Sequence, residues 1–252
     1  MKIFAISDLH LTFQCDKPMN VFGEHWEGYE QKILDSWNAH VGADDVGIIA
    51  GDISWAMKME DTVKDFEYLK KLNGKKIIVR GNHDYWWKSI SRIRELLAPD
   101  GYALQNDSVQ IGDVVFAGTR GWRVPERRMV QSDEDKKIYE REILRFELAL
   151  KDARDKKPPS ACADTPFTKG GSPTEKPTLI AVLHYPPFNA TIDPSPFTEL
   201  CEKYGVRACV YGHLHGRRGR HNLCTHKNGV DYYLTSCDLL GHEIVEIPME
   251  KS

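Results

Sequence analysis

The 252-residue chain predicts an α/β fold, a parallel sheet with helices on its faces. Three observations carry that reading. Short apolar, β-rich runs alternate with segments of helical spacing through the first hundred residues, the pattern of consecutive βα units. Five of these runs along the chain end in a short polar stretch that carries Asp, Asn or His instead of continuing into another apolar stretch. Apolar residues make up 41% and charged residues 28% of the chain, ordinary for a globular protein and sufficient for one large core.

The first run, Lys2 to Ile6, is a strand ending in Ser7, Asp8, Leu9 and His10. Asp8 and His10 lie two apart, so on extended chain they share a side. The start of the chain reaches these polar residues too soon for a signal-peptide core. Leu11 to Gly28 has no clean period and reads as a long loop. Ile33, Leu34, Trp37 and Val41 then mark a helix over about Tyr29 to His40. Val46 to Ala50 is a second strand closed by Gly51 and Asp52, followed by a helix bearing Val63, Phe66, Leu69 and Leu72 with Gly74 as its stop. Lys75 to Arg80 is the third strand. It leads into Gly81, Asn82, His83 and Asp84, with Gly81 placed where a sharp turn is needed. The aromatic cluster Tyr85, Trp86, Trp87 follows, then a helix from about Lys88 to Leu97.

Val109 to Ala117 reads as a hairpin about Gly112 and Asp113. Ser132 to Asp155 is one long amphipathic helix whose apolar stripe is either Ile138, Leu144, Leu148 or Tyr139, Ile143, Phe146, Leu150. Its charges, among them Asp133, Glu134, Asp135, Lys136 and Lys137, form a solvated face; a partner-binding helix is the alternative. Lys156 to Pro177, rich in Pro, Gly, Ser, Thr and Lys, is a mobile loop, read as an insertion in preference to a lid. The chain is therefore taken as a single domain, 1–252, with the helix and loop inserted at 128–178. Leu179 to Leu183 ends in His184. A short helix near Phe197 to Tyr204 precedes Arg207 to Tyr211, which ends in Gly212, His213, Leu214 and His215. Val230 to Leu234 and His242 to Ile247 are the last strands.

Several function classes are excluded or disfavoured at this point. No run approaches the roughly 18 apolar residues a membrane span needs. The six cysteines are scattered with no C-x-x-C pair, so neither a zinc knuckle nor a disulfide framework is indicated, and a reducing cytoplasm fits. A net charge of −3 argues against nucleic acid bound over the whole surface. A local basic groove stays open, with Arg217, Arg218 and Arg220 as its candidates against the simpler reading of a solvated turn.

Five apolar runs end in a possible metal ligand, and in open α/β sheets the carboxyl ends of the strands converge on the ligand site. The set is Asp8, His10, Asp52, Asn82, His184, His213 and His215. Two carboxylates, one amide oxygen and four imidazoles suit Mn, Fe, Co, Ni or Zn better than Ca. Seven ligands exceed one tetrahedral site and suit two ions sharing a carboxylate, with Asp52 as the bridge. Such a pair can hold a hydroxide between them and clamp phosphate oxygens during in-line displacement.

Together, Asp8-x-His10, Gly51-Asp52, Gly81-Asn82-His83-Asp84, His184 and Gly212-His213-x-His215 resemble the five-block signature of calcineurin-like metallophosphoesterases, in family order over residues 8 to 215. The Gly51 to Trp55 and Asn82 to Trp87 sequences are most similar to a bacterial group of predicted phosphohydrolases. The resemblance implies a four-layer α-β-β-α sandwich with a dimetal site at the C-terminal ends of the strands. It implies Asp8, His10, Asp52 and His215 on one metal and Asp52, Asn82, His184 and His213 on the other. It assigns His83 to the leaving oxygen and Asp84 to orienting the His83 ring. The expected function is hydrolysis of a phosphate ester by a dinuclear metal-dependent enzyme. A phosphodiesterase or nuclease is the alternative, and a non-catalytic scaffold of the same fold a more distant one. Trp55, Trp86, Trp87 and Trp122 are read equally as pocket walls or core, and Arg120 and Arg123 as possible substrate contacts. His25, His40, His221, His226 and His242 are ordinary residues.

Overall fold

The computed structural model describes residues 1–156, 177–216 and 220–249. Two sheets lie face to face. The first has the order β11-β1-β2-β3-β4, built from β1 (Ile3–Ile6), β2 (Val46–Ile49), β3 (Lys75–Val79), β4 (Gly101–Leu104) and β11 (Val245–Glu246). The second has the order β5-β6-β7-β8-β10-β9, from β5 (Asp107–Ile111), β6 (Val114–Gly118), β7 (Thr178–Val182), β8 (Ala208–Tyr211), β9 (Cys224–Lys227) and β10 (Val230–Leu234). β1 through β4 run parallel, as do β6, β7, β8 and β10; the edge strands β11, β5 and β9 are antiparallel.

Strand alternation decides which residue enters which layer. Successive side chains point to opposite faces, so Ile3 and Ala5 enter the inter-sheet core with Ile48, Ile77, Phe116, Ile180 and Val210, while Phe4 and Ile6 face outwards. Over the outer face of the first sheet pack α1 (Tyr29–His40), α2 (Val63–Lys70) and α3 (Ile90–Leu97), through Ile33, Trp37, Phe66, Leu69 and Ile93. Over the second sheet pack α4 (Asp133–Arg154) and α5 (Pro196–Tyr204), through Phe146, Leu150, Phe197 and Leu200. These three apolar interfaces define the four-layer α-β-β-α sandwich. A short α6 (Cys237–Leu240) follows β10.

The elements differ from expectation in identifiable places. β4 and β9 are additional strands: β4 is four residues opening on a glycine, and β9, Cys-Thr-His-Lys, lacks an apolar signal because it is a solvated edge. The final strand shrinks to Val245 and Glu246. On α4 the stripe is Tyr139, Ile143, Phe146 and Leu150, leaving Leu144 and Leu148 exposed. Within α4 the buried Glu142 pairs with Arg145 and lies 3.7 Å from Arg120. The loop read as an insertion or lid lies almost wholly outside the described residues, as do Arg217 and Arg218.

Candidate metal centre

All seven inferred ligands meet at one end of the two sheets, on the loops leaving β1, β2, β3, β7 and β8. Backbone hydrogen bonds tie these loops together: Asp8 N–H donates to Gly51 O at 2.9 Å, His10 N–H to Asp52 O at 3.0 Å, and Gly212 N–H to His184 O at 3.1 Å. Asp8, His10, Asp52 and His213 all have φ between 47° and 72°, the left-handed region that costs a non-glycine residue free energy. Such conformations persist only where the surroundings over-determine them, and they cluster at functional sites.

Two ligand groups result: Asp8, His10 and His215, and Asp52, His184 and His213, the candidate atoms in each lying within 4.8 Å of one another. Asp52 Oδ2 lies between them, 3.4 Å from His184 Nε2 and 3.9 Å from His10 Nε2. Asn82 Oδ1 is 2.8 Å from both His184 Nε2 and His213 Nδ1. Across the first group His215 Nε2 is 3.4 Å from Asp8 Oδ1 and from His10 Nε2.

The outer contacts fix tautomers. His184 Nδ1 sits 2.9 Å from Ala50 O, and a carbonyl only accepts, so this nitrogen carries the proton and a neutral ring's Nε2 lone pair faces Asp52. His215 Nδ1 lies 3.0 Å from Asp238 Oδ1, whose carboxylate also accepts from Gly216 N–H at 3.0 Å. A histidine held by its far nitrogen against a carbonyl or carboxylate is the arrangement that aims a lone pair at a metal. Two close imidazole nitrogens, 3.4 Å apart at His10 and His215, beside a buried carboxylate likewise suit a shared cation. The donor set therefore fits transition-metal ions.

The motif glycines make room for the ligands. A Cβ on Gly51 would stand 2.6 Å from His184 Nδ1. On Gly81 it would stand 2.7 Å from Asp52 Cγ, and closer still to Asp52 Oδ1 and backbone N. On Gly212 it would press into Ser7 and Asp8 Oδ2. Gly81 has no positive φ, so it is required by the close approach of Asp52 and not by the sharp turn expected of it.

Electrostatics without metal follow from burial opposed by charge. Burial would raise the Asp8 carboxyl, but the hydrogen bond and charge of His215, with His184 and His10, hold it well below the usual range. Burial likewise works against charged His184 and His215, yet Asp52 raises the first to about 9, while Asp238 and Asp8 raise the second to about 10. Burial dominates for His10 and His213, both lowered to about 4.

His83 stands beside the ligands, its ring 4.3 Å from Trp55 and 5.6 Å from His10 between centroids, and its backbone N–H donates to Asp52 Oδ1 at 2.7 Å. Asp84 does not orient it. Asp84 Oδ1 accepts from Ile53 N–H, Ser54 N–H and Trp86 Nε1, and Oδ2 from Gly81 N–H, so it braces the loops after β2 and β3. Trp86 and Trp87 are core, whereas Trp55 stacks on His10 at 4.9 Å. Arg120 lies 3.7 Å from Glu142 and against the Trp122 ring. Arg123 and Arg220 line a cavity of about 620 Å³ that reaches His213. Asp238 escaped the sequence reading because it does not close a strand directly: it sits on the short α6, past the Thr-Ser-Cys that follows β10, and 23 residues beyond His215.

Residues 1–217 match the calcineurin-like phosphoesterase family. The chain belongs to that family, and with it to the metal-dependent phosphoester hydrolases. Among solved structures, the chain is similar to a phosphopantetheinyl hydrolase from Mycobacterium tuberculosis, at 14% identity and TM-score 0.53, covering 99% of this chain and 96% of that one. It is also similar to TT1561 of Thermus thermophilus, at 12% identity and TM-score 0.56, covering 98% of each. At these identities the likeness concerns the fold. No curated protein sequence matches significantly. Among the described residues no helix is long and apolar enough to cross a membrane.

Proposed function

We propose that this chain is a cytoplasmic, single-domain phosphoester hydrolase with a dinuclear metal centre. Asp8, His10, Asp52 and His215 hold one ion, and Asp52, Asn82, His184 and His213 the other, from among Mn, Fe, Co, Ni and Zn. The observation that carries this reading is Asp52 Oδ2 lying between His184 Nε2 and His10 Nε2, with a complete donor group on either side. Two bound cations supply Lewis-acid polarisation of the phosphate and a water acidified enough to attack phosphorus near neutral pH.

The remaining roles belong to the chain's own residues. Asp84 and the backbone bonds between loops fix ligand positions before substrate arrives, which removes reorganisation from the reaction. As the P–O ester bond breaks, the departing oxygen takes a proton from His83, which faces the same cavity as His10 and His215. Burial lowers the His83 pKa, so its protonated form is a stronger acid but a smaller fraction of the resting protein near neutral pH, and turnover should favour the acidic side of neutrality.

The test loads the protein in turn with Mn, Fe, Co, Ni and Zn and follows p-nitrophenyl phosphate and bis(p-nitrophenyl) phosphate. At least one ester should turn over, and Asp52→Asn should remove most activity and weaken metal loading. A variant that kept full turnover and both metals would overturn the scheme. A nuclease reading would instead require nucleic-acid binding that weakens steeply with salt.

A further inference from the structure

A cavity of about 780 Å³ opens beside His10, His83 and His215 and runs away from them beneath the loop after β1. A phosphate group alone needs little of that space; drug-sized ligands occupy roughly 300–1,000 Å³. Its walls are ring-rich. Trp55 stacks on His10, and Trp26 stands edge-on to Tyr29 at 5.0 Å and to His242 at 5.0 Å, with its other approach to His10 at 6.4 Å. Met19 and Phe22, from the short turn Met19–Phe22, complete the apolar side, and Phe22 is 64% exposed at the rim.

The far end is polar in a specific way. His242 is only 2% exposed and lines the cavity; the His25 backbone approaches its ring, but neither ring nitrogen has a hydrogen-bond partner of ordinary geometry. A buried polar group left unpaired is unfavourable. The residue is also held at φ 66°, with its N–H bonded to Cys237 O at 2.7 Å, so the ring is fixed in place at a conformational cost. Burial, then the charges of Lys32 and His25, lower its pKa to about 4, so at neutral pH the ring is uncharged and offers one donor and one acceptor. Of the other polar groups lining the cavity, Asp238 is engaged by His215 and Gly216, and Lys32 and His25 flank His242.

We infer that this cavity is the specificity site of the enzyme, selecting phosphate esters whose organic part is a flat heteroaromatic ring of nucleobase size, stacked among Trp26, Trp55 and Phe22 and hydrogen-bonded at its edge by His242. The inference rests on the phosphoesterase reading for the role of the site, and on the cavity alone for binding. The phosphate lies at the histidine end, and the ring fills the space between Trp26 and Met19. Stacking accepts any flat face, whereas a neutral imidazole, whose donor and acceptor nitrogens point to opposite sides of the ring, can pair through one of them with a single polar group on a base edge.

The test measures binding of adenosine, guanosine, cytidine, uridine and ribose to the metal-loaded protein by calorimetry and tryptophan fluorescence. At least one nucleoside should bind with Kd below about 1 mM, more tightly than ribose. His242→Phe and, separately, the exposed-site change Phe22→Ala should each weaken that binding by about tenfold. Adenosine 5′-monophosphate should exceed ribose 5-phosphate in kcat/KM, since both release the same 5′ alkoxide. If no nucleoside binds better than ribose, or if Phe22→Ala and His242→Phe both leave binding unchanged, the inference is overturned. Nucleoside binding without turnover of any phosphoester would instead overturn the phosphoesterase reading and leave the pocket standing.

Discussion

Gly81→Ala tests whether the glycines of the ligand loops exist for clearance. The added methyl carbon would lie 2.7 Å from Asp52 Cγ, where ordinary contacts begin at 3.4 Å, so a separation of at least about 0.7 Å must open. Backbone conformation does not confound the experiment, because Gly81 has no positive φ. The atoms that must yield include the Asp52 backbone nitrogen, so a rotamer change of the carboxylate cannot absorb the shift. Asp52 Oδ1 is further held by His83 N–H at 2.7 Å, and Gly81 N–H by Asp84 Oδ2 at 2.7 Å. Metal–ligand distances tolerate only about 0.2 Å, and a misplacement near 1 Å costs on the order of 10²-fold in rate. Overpacking adds about 1–3 kcal/mol of destabilisation. The expected outcome is a folded protein with substoichiometric metal and kcat/KM reduced about 10²-fold. Metal content by plasma mass spectrometry, turnover of p-nitrophenyl phosphate and a thermal melt measure the three quantities. Two metals retained with turnover within about threefold would show that Asp52 is not held as the structure places it, because differences that small are below one tenfold step of 1.4 kcal/mol.

Three further outcomes are expected. His83→Ala should lower kcat by about 10²-fold or more while metal content stays near normal, since general-acid contributions are of that size; loss of metal would make His83 a ligand or a structural element. Asp238→Asn should weaken metal affinity about 10–100-fold, as loss of a carboxylate behind a ligating histidine does, and the effect should appear in metal titration before it appears in folding. Asp65, buried and bonded by the Ser54 hydroxyl, has its carboxyl raised by burial to about 6. The unfolded chain releases that proton near 3.8, so between these values the native state binds more protons than the unfolded one and stability falls as pH rises. Roughly 2–3 kcal/mol should be lost from pH 4 to pH 7 relative to Asp65→Asn, read by urea denaturation of both proteins; parallel pH profiles would refute it.

The sequence by itself determined the alternation of strands and helices and picked out the seven candidate ligands that the fold brings to one end of the two sheets. Each ligand follows a short apolar run, and a strand places its terminal residues without help from distant parts of the chain. It also determined the family, because five ordered blocks occupy most of the length. What it did not determine depends on pairings remote in sequence. Which apolar face of α4 is buried was settled by the second sheet beneath it. Asp84 proved to brace its neighbours because Ile53 and Ser54, thirty residues earlier, point their N–H groups at it. Gly81 proved to be a clearance site only when Asp52 was packed against it. The cavity joins Met19 and Trp26 to His242 because β11 pairs with β1 and returns the end of the chain to its beginning. Local chemistry is written in local sequence; distances between residues two hundred positions apart are set only by the closed, packed fold.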